Sequence, residues 1–380
     1  LKDFAFIFWE LKRRAKLSKY GGYPCIGYPQ ADKLVPAFKR VGADIQTFEF
    51  CDYASIAFAL NPEKDPKKEP FKTIGQKLQS DKVLIEWDGI TSHRDYMEIF
   101  KWYQSNYEIY VIPHHALILG GSCTPAFERE IRMEVTKNST RVIFQLEWER
   151  KFWEELEWER KFLKKPDKFI TILPPTRTGI PYEKIEARKI LGIKTKYAII
   201  CWGNYENKNY EDLIPWIIEW KDTSLLFVGS GNHPRIREIA KKHNVLRRVF
   251  FSPVGISDVD ADLWFSASDI CSYPADHEGT STPTHVVGQG RVIVTKPFPP
   301  YVELEKVSGV VTGGGPRPTE QTSEEMTLNV KKITRELLLN EDKRKVFEAK
   351  SREYARNNSY ENYAIKIGEL MGFSYSKRAI

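Results

Sequence analysis

A lone carboxylate followed by a run of small and hydroxylated residues is the stretch of this chain best suited to chemistry: Tyr273 to Val294 reads YPADHEGTSTPTHVVGQGRVIV. Glu278 can accept hydrogen bonds from sugar hydroxyls. Gly279, Thr280, Ser281 and Thr282 can turn backbone N–H groups toward an anion at the start of a helix, where the helix dipole and the unpaired amides act together. Such a combination suits a sugar phosphate. An ordinary polar strand-to-helix loop capped by Thr or Ser accounts for the same residues equally well. The apolar strand before it, Asp269 to Tyr273, would deliver Glu278 to a carboxyl-terminal sheet edge, where open α/β sheets hold their ligands.

The chain has 380 residues, enough for about two domains of roughly 100–200 residues, each with its own core. No apolar run approaches the ~20 residues of a membrane span. A net charge of +7 arises from 58 basic and 51 acidic residues, a balance that fits phosphorylated substrates and does not mark a nucleic-acid binder. Lys12-Arg13-Arg14, with Lys16 and Lys19, reads first as a solvated helix face, with peripheral membrane contact as the minor option. Cys25, Cys51, Cys123, Cys201 and Cys271 are scattered without a CxxC pair, which points to reduced core residues of a cytoplasmic protein. The seven histidines show no metal-ligand spacing, so no metal is implied. No secretory signal pattern opens the chain, which begins at Leu1.

Strand-like and helix-like runs alternate almost throughout, the grammar of a parallel sheet with helices on both faces. Phe4–Trp9, Ala43–Phe50, Val83–Trp87, Ile109–Ile112 and Arg141–Leu146 read as strands of one unit, with helices over Ala31–Val41 and Asp95–Ser105. Strands beginning at Tyr197, Ser224, Arg248, Asp269 and Arg291 make a second unit, with helices over Tyr210–Glu219, Pro234–His243 and Asp260–Ala267. Two Rossmann-like domains follow. The polar, proline-bearing stretch from Lys164 through Pro174-Pro175 to Pro181 is the expected boundary, giving domains over 1–173 and 174–358. Just before it, LEWERKF occurs at Leu146 and again at Leu156, a duplicated amphipathic helix packed on its own domain. From Thr327 the chain is strongly helical, breaking at Asn357-Asn358-Ser359, and residues 359–380 could cross back to the first domain.

The order of these motifs resembles the nucleotide-binding domain of GT-B fold glycosyltransferases, specifically the retaining glycosyltransferase family 4. ITILPPTRTGIPYEK, YAIICWGNYENKNYEDLI, LLFVGSGNHPRIREIAKKHNVLRRVFFSPVGI and SASDICSYPADHEGTSTP follow one another as they do in that family, and the likeness covers about Ile170 to Tyr363 best. It implies two Rossmann-like domains facing a cleft, the first binding the acceptor and the second the donor. By the resemblance, Gly203 and Lys208 are the glycine and lysine of the donor-diphosphate loop, and Glu278 with the loop through Thr282 holds the donor sugar. Pro253 and Val254 stand where relatives present backbone groups to the base. Gly21 and Gly22 are similar to the glycine loop that admits acceptor and diphosphate, although a flexible turn explains them as well. His114, with His115 beside it, stands near the reacting sugar. Two positions depart from the pattern: Asn204 replaces an arginine, which shifts the phosphate load to Lys208 or to Arg177, and Val286 replaces the second glutamate of Glu-x7-Glu, which either shifts ribose recognition to His285 or another group or weakens donor binding enough to question activity.

The expected activity is transfer of a sugar from a nucleotide-diphosphate sugar to an acceptor hydroxyl of a glycan, lipid or protein, with retention, without metal and without a further cofactor. Catalysis would fall to Glu278, Lys208 and His114. A nucleotide-sugar epimerase of the same fold and a catalytically degenerate nucleotide-sugar-binding module are the alternatives; a nucleic-acid-modifying enzyme ranks below both.

Overall fold

Apolar runs such as AIICW and SLLFV carry no period-2 alternation, so both faces of such a strand must be covered, and a parallel sheet between helices does this. In the computed structural model, which describes residues 2–9, 31–50, 78–87, 107–113, 135–155, 166–203, 208–229, 233–253, 256–276, 281–313 and 321–376, these runs form central strands. The chain divides into two units: among the described residues the first runs to Pro174 and resumes at Tyr360, and the second is Pro175–Ser359.

In the first unit, β1 (Ala5–Trp9), β2 (Gln46–Phe50), β3 (Lys82–Trp87), β4 (Glu108–Pro113), β5 (Arg141–Phe144) and β6 (Phe169–Thr171) form one sheet in the order β2-β1-β3-β4-β5-β6. All its pairings are parallel. Helix α1 (Ala31–Arg40) stops before Gly42, whose φ of 92° a residue with a Cβ adopts only at a cost. Its inner face places Phe38 edge-to-face on Phe4 at 5.0 Å. Helix α2 (Glu147–Glu155) carries the first LEWERKF copy and is seated on its own unit by the fully buried Trp153, which packs on Phe144 and donates to Thr136 Oγ1. The second copy, and the helix expected over Asp95–Ser105, lie outside the described residues.

The second unit has β7 (Tyr197–Trp202), β8 (Thr223–Val228), β9 (Val249–Phe251), β10 (Ile270–Tyr273), β11 (Ile293–Thr295) and β12 (Val310–Thr312), in the order β12-β11-β10-β7-β8-β9 and again parallel. Its described helices are α3 (Lys184–Leu191), α4 (Leu213–Glu219), α5 (His233–Lys242), α6 (Asp258–Ala267), α7 (Ser281–Gly288), α8 (Pro299–Val307), α9 (Ser323–Leu339) and α10 (Glu341–Asn357). The segment expected as one helix from Tyr210 begins instead as a 3-10 turn, Tyr210–Asp212, before α4. Pro215 sits in the first turn of α4, where its missing N–H costs nothing. The terminal helical run is likewise divided, because Asn340 ends α9 and its side chain accepts from Lys343 N to cap α10.

The chain leaves the second unit beside the place where it entered: Thr176 N donates to Asn358 O at 2.8 Å, and Thr176 bridges Ser359. Helix α11 (Tyr360–Leu370) then packs on α1, burying Tyr363, Ala364 and Ile367 in the core of the first unit. Arg40 and Glu361 pair at 2.5 Å across this contact. Burying side chains such as Tyr363 and Ile367 contributes about 1.5–3 kcal/mol each, so the crossing helix is an integral part of that unit.

Candidate functional site

Strand order reverses in the second unit at β7, since β8 and β9 lie on one side of it and β10 to β12 on the other. A crevice at the carboxyl ends of β7 and β10 is therefore where a ligand of an open α/β sheet is held. Gly203 directly follows β7 with φ 99°, and its N–H donates to Val228 O at 2.9 Å. The turn after β8 crosses it closely: a Cβ on Gly229, whose φ is 137°, would stand 2.3 Å from Gly203 O. Ser252, just past β9, accepts from Gly229 N and ties in a third strand end.

Lys208 reaches back across these ends. Its Nζ donates to Tyr273 Oη at 2.8 Å, at the end of β10, and to Thr282 Oγ1 at 3.0 Å, in the first turn of α7. A Cβ on Gly203 would be 3.5 Å from Lys208 Cε and 3.8 Å from Thr282 Oγ1, so the glycine, the lysine and the threonine meet at one point. The turn that follows is tied to β7 by the buried Tyr210, whose hydroxyl donates to Trp202 O and accepts from Trp202 N. No carboxylate pairs with Lys208 among the described residues. Burial therefore pushes the amine down, to about 8. A cation held by neutral hydroxyls, beside the N-terminus of a helix, is the electrostatic complement of an anion.

Other residues expected at the site fall differently. His285, on α7, stacks on Trp202 of β7 at 4.4 Å and lies 5.8 Å from Phe265 of α6. Val286 is fully buried. Pro253 is exposed immediately after β9, at the carboxyl edge. Ser281 opens α7. The Arg177 guanidinium is engaged in a two-pronged pair with the fully buried Asp262, at 2.7 and 2.6 Å. Glu278, Gly279, Thr280, Asn204, Val254, Gly21, Gly22, His114 and His115 lie outside the described residues. So do three of the cysteines; Cys201 and Cys271 are buried free thiols, which burial pushes upward, Cys271 to about 12.

Sequence reading missed a polar cluster directly behind Lys208. Asp276 joins Asn209, Lys296 and Ser323, three side chains from three separate elements. The signals were a lysine ending the apolar strand RVIVTK and an aspartate two residues before Glu278, neither of which has meaning until the strand ends are brought together. Among the described residues no cluster of His, Cys, Asp and Glu could hold a metal ion, and no helix is long and apolar enough to cross a membrane.

No protein-family model matches the sequence, and no curated protein does. Solved structures do match over nearly the whole chain. HepE from Anabaena, in complex with UDP and glucose, is 12% identical with a TM-score of 0.66, covering 98% of this chain and 100% of that one. Sucrose-phosphate synthase from Thermosynechococcus elongatus is 14% identical with a TM-score of 0.65, covering 97% and 98%. WaaG, a glycosyltransferase involved in lipopolysaccharide biosynthesis, is 15% identical with a TM-score of 0.54, covering 97% and 99%. With two parallel six-stranded sheets, a strand-order reversal at β7 and a last helix returned to the first unit, the chain has the fold of the GT-B glycosyltransferases.

Proposed function

We propose that the chain is a glycosyltransferase that moves a sugar from a nucleotide-diphosphate sugar to an acceptor hydroxyl. The observation that carries this reading is the Lys208 ammonium, which pairs with no carboxylate among the described residues and is held by Tyr273 and Thr282 at the strand-order reversal of the second unit. In the reaction the bond from the anomeric carbon to the diphosphate oxygen breaks, and the acceptor oxygen bonds to that carbon. The acceptor proton passes to the departing phosphate. We assign retention, with attack on the face the leaving group vacates through an oxocarbenium-like state. Lys208 and the α7 N-terminus balance the charge that grows on the diphosphate, a task a metal performs in other transferases. Glu278 holds the donor sugar hydroxyls, and the base lies along the edge at Pro253. Residues 174–358 form the donor side. The acceptor belongs to residues 1–173 with 359–380, where Gly21, Gly22, His114 and His115 are its candidate contacts.

Lys208 links donor binding to pH. A diphosphate raises the pKa of the amine it pairs with, so binding above pH 8 takes up a proton and affinity falls as pH rises through 8. Without ligand the sign is the opposite: the unfolded lysine titrates near 10.5, the folded one near 8, and between these values the unfolded chain binds more protons, so this group's contribution to stability increases with pH. Calorimetry of UDP at pH 7 and pH 9, in buffers of different ionisation enthalpy, measures the uptake; a pH-independent affinity would contradict it.

The decisive test of the function is Glu278→Gln. It is expected to leave the melting temperature unchanged and to lower nucleotide release from a nucleotide-sugar by about 10², and an unaltered rate would show that the loop does not hold the donor. A second reading is favoured by Val286, a core residue where the resembled family carries a carboxylate. It is a binding module without turnover, which predicts saturable nucleotide-sugar binding and no nucleotide release with any acceptor.

A further inference from the structure

Asn209, next to Lys208, holds a left-handed backbone at φ 53° and ψ 31°. Among the described non-glycine residues only Asn244 shares this region, and Asn244 merely closes the end of α5. Asn209 ends no helix; it opens the 3-10 turn at Tyr210–Asp212. Asparagine tolerates the left-handed region better than other residues with a Cβ, and a side-chain hydrogen bond can hold it there.

That bond runs to Asp276. Asn209 Nδ2 donates to Asp276 Oδ2 at 2.5 Å, and the other carboxylate oxygen accepts from Lys296 Nζ at 2.5 Å and Ser323 Oγ at 2.6 Å. Lys296 also donates to Ser323 Oγ at 2.9 Å, which closes a triangle. Lys296 is completely buried immediately after β11, and Ser323 is the first residue of α9. A buried ammonium cannot swing into solvent, so Asp276 is fixed from behind by the sheet and by a helix N-terminus. Burial opposes its ionisation, yet the bonds from Lys296 and Ser323, the Lys296 charge and the bond from Asn209 hold the carboxyl below its usual range.

We propose that Asp276, anchored by Lys296 and Ser323, is a positioning residue that clamps Asn209 in its left-handed conformation and so sets the backbone from which Lys208 reaches a bound diphosphate. The proposal rests on Lys208 being the diphosphate contact. In this role Asp276 acts through the residue beside the lysine and not on the reacting atoms. A role limited to folding would change stability and all binding alike. A positioning role changes only the part of the affinity that Lys208 supplies.

The test is calorimetric titration of UDP, GDP and ADP, and of their nucleosides, into the full chain, using the pair that binds most tightly. Asn209→Gly accepts the left-handed backbone but lacks the amide, and the Asp276–Lys296 pair stays in place. It is expected to lower diphosphate affinity about tenfold while nucleoside affinity stays unchanged. Lys296→Met, which removes the anchor, is expected to give the same selective loss, and the double variant no more than the larger single effect, because both act through one path. Unchanged diphosphate affinity in Asn209→Gly, or equal losses for nucleoside and diphosphate, would overturn the clamp. Lys208→Ala tells this failure from that of the site: if it abolishes the diphosphate preference while Asn209→Gly keeps it, only the clamp is wrong, and if it keeps the preference, both are.

Discussion

Replacing Lys208 by alanine should weaken binding of a nucleoside diphosphate far more than binding of the nucleoside, and should slow sugar transfer by about 10²–10³, the range for loss of one group that stabilises developing negative charge. Charge grows on the leaving phosphate as the glycosidic bond stretches, so a charge-assisted contact there strengthens toward the transition state and is lost mainly from the rate. The geometry adds a second expectation, for stability. Among the described residues Lys208 has two hydroxyl partners and no carboxylate, and burial has pushed its pKa to about 8. Below that pH the folded chain carries a desolvated charge that the unfolded chain does not, so alanine should leave the apo melting temperature at pH 7 unchanged or higher. A lower activity together with an undiminished melting temperature is the signature of a functional lysine. Equal losses for nucleoside and diphosphate, or a marked loss of stability, would mean that Lys208 serves the fold and not the ligand.

Asp269→Ala should strongly destabilise the second unit, costing about 3–5 kcal/mol. Asp269 stands just before β10, almost wholly buried. Its Oδ1 pairs with Lys184 and Oδ2 with Arg188 at 2.6 Å, both from α3, while Arg344 of α10 approaches to 3.8 Å. Ala198 N, in β7, donates to Oδ2 at 2.8 Å. One carboxylate thus joins two helices and a central strand at the amino ends of the sheet. Without it Arg344, itself almost wholly buried, loses a counter-charge, whereas Lys184 can relax toward solvent; this places the cost nearer the lower bound. Thermal unfolding should shift by about 10 °C. Asp269→Asn, which can still accept from Ala198 N, should lose less, and equal shifts would show that the charge itself contributes nothing.

Much of the architecture was legible because it depends on local pattern. YAIICWG, SLLFVGSG, DICSYP and RVIVTK are too apolar for half-exposed strands, and each lies in a parallel sheet between helices. β6 and β12 were not read as strands from the sequence; pairing with β5 and β11 is what makes FIT and VVT strands. The helical stop at Asn340 escaped for a related reason: asparagine inside a charged, leucine-rich run is compatible with continued helix until the turn bends away and its side chain becomes a cap. The return of the last helix was readable only as an option, since nothing in SYENYAIKIGEL says which surface will cover Tyr363 and Ile367.

The site divides along the same line. Sequence alone determined that a glycine and a lysine follow one strand and a hydroxyl-rich loop follows a later one, because residue type and chain order are enough for that. Only the tertiary structure decided that Gly203, Lys208 and Thr282 meet at the reversal of strand order, that Arg177 is held by Asp262, and that Lys296 stands behind Asp276. The physical reason is that an ion pair or a hydrogen bond acts over a few ångströms of space, whatever the separation along the chain. A parallel sheet gathers residues 20 to 74 positions apart at its strand ends into one such neighbourhood.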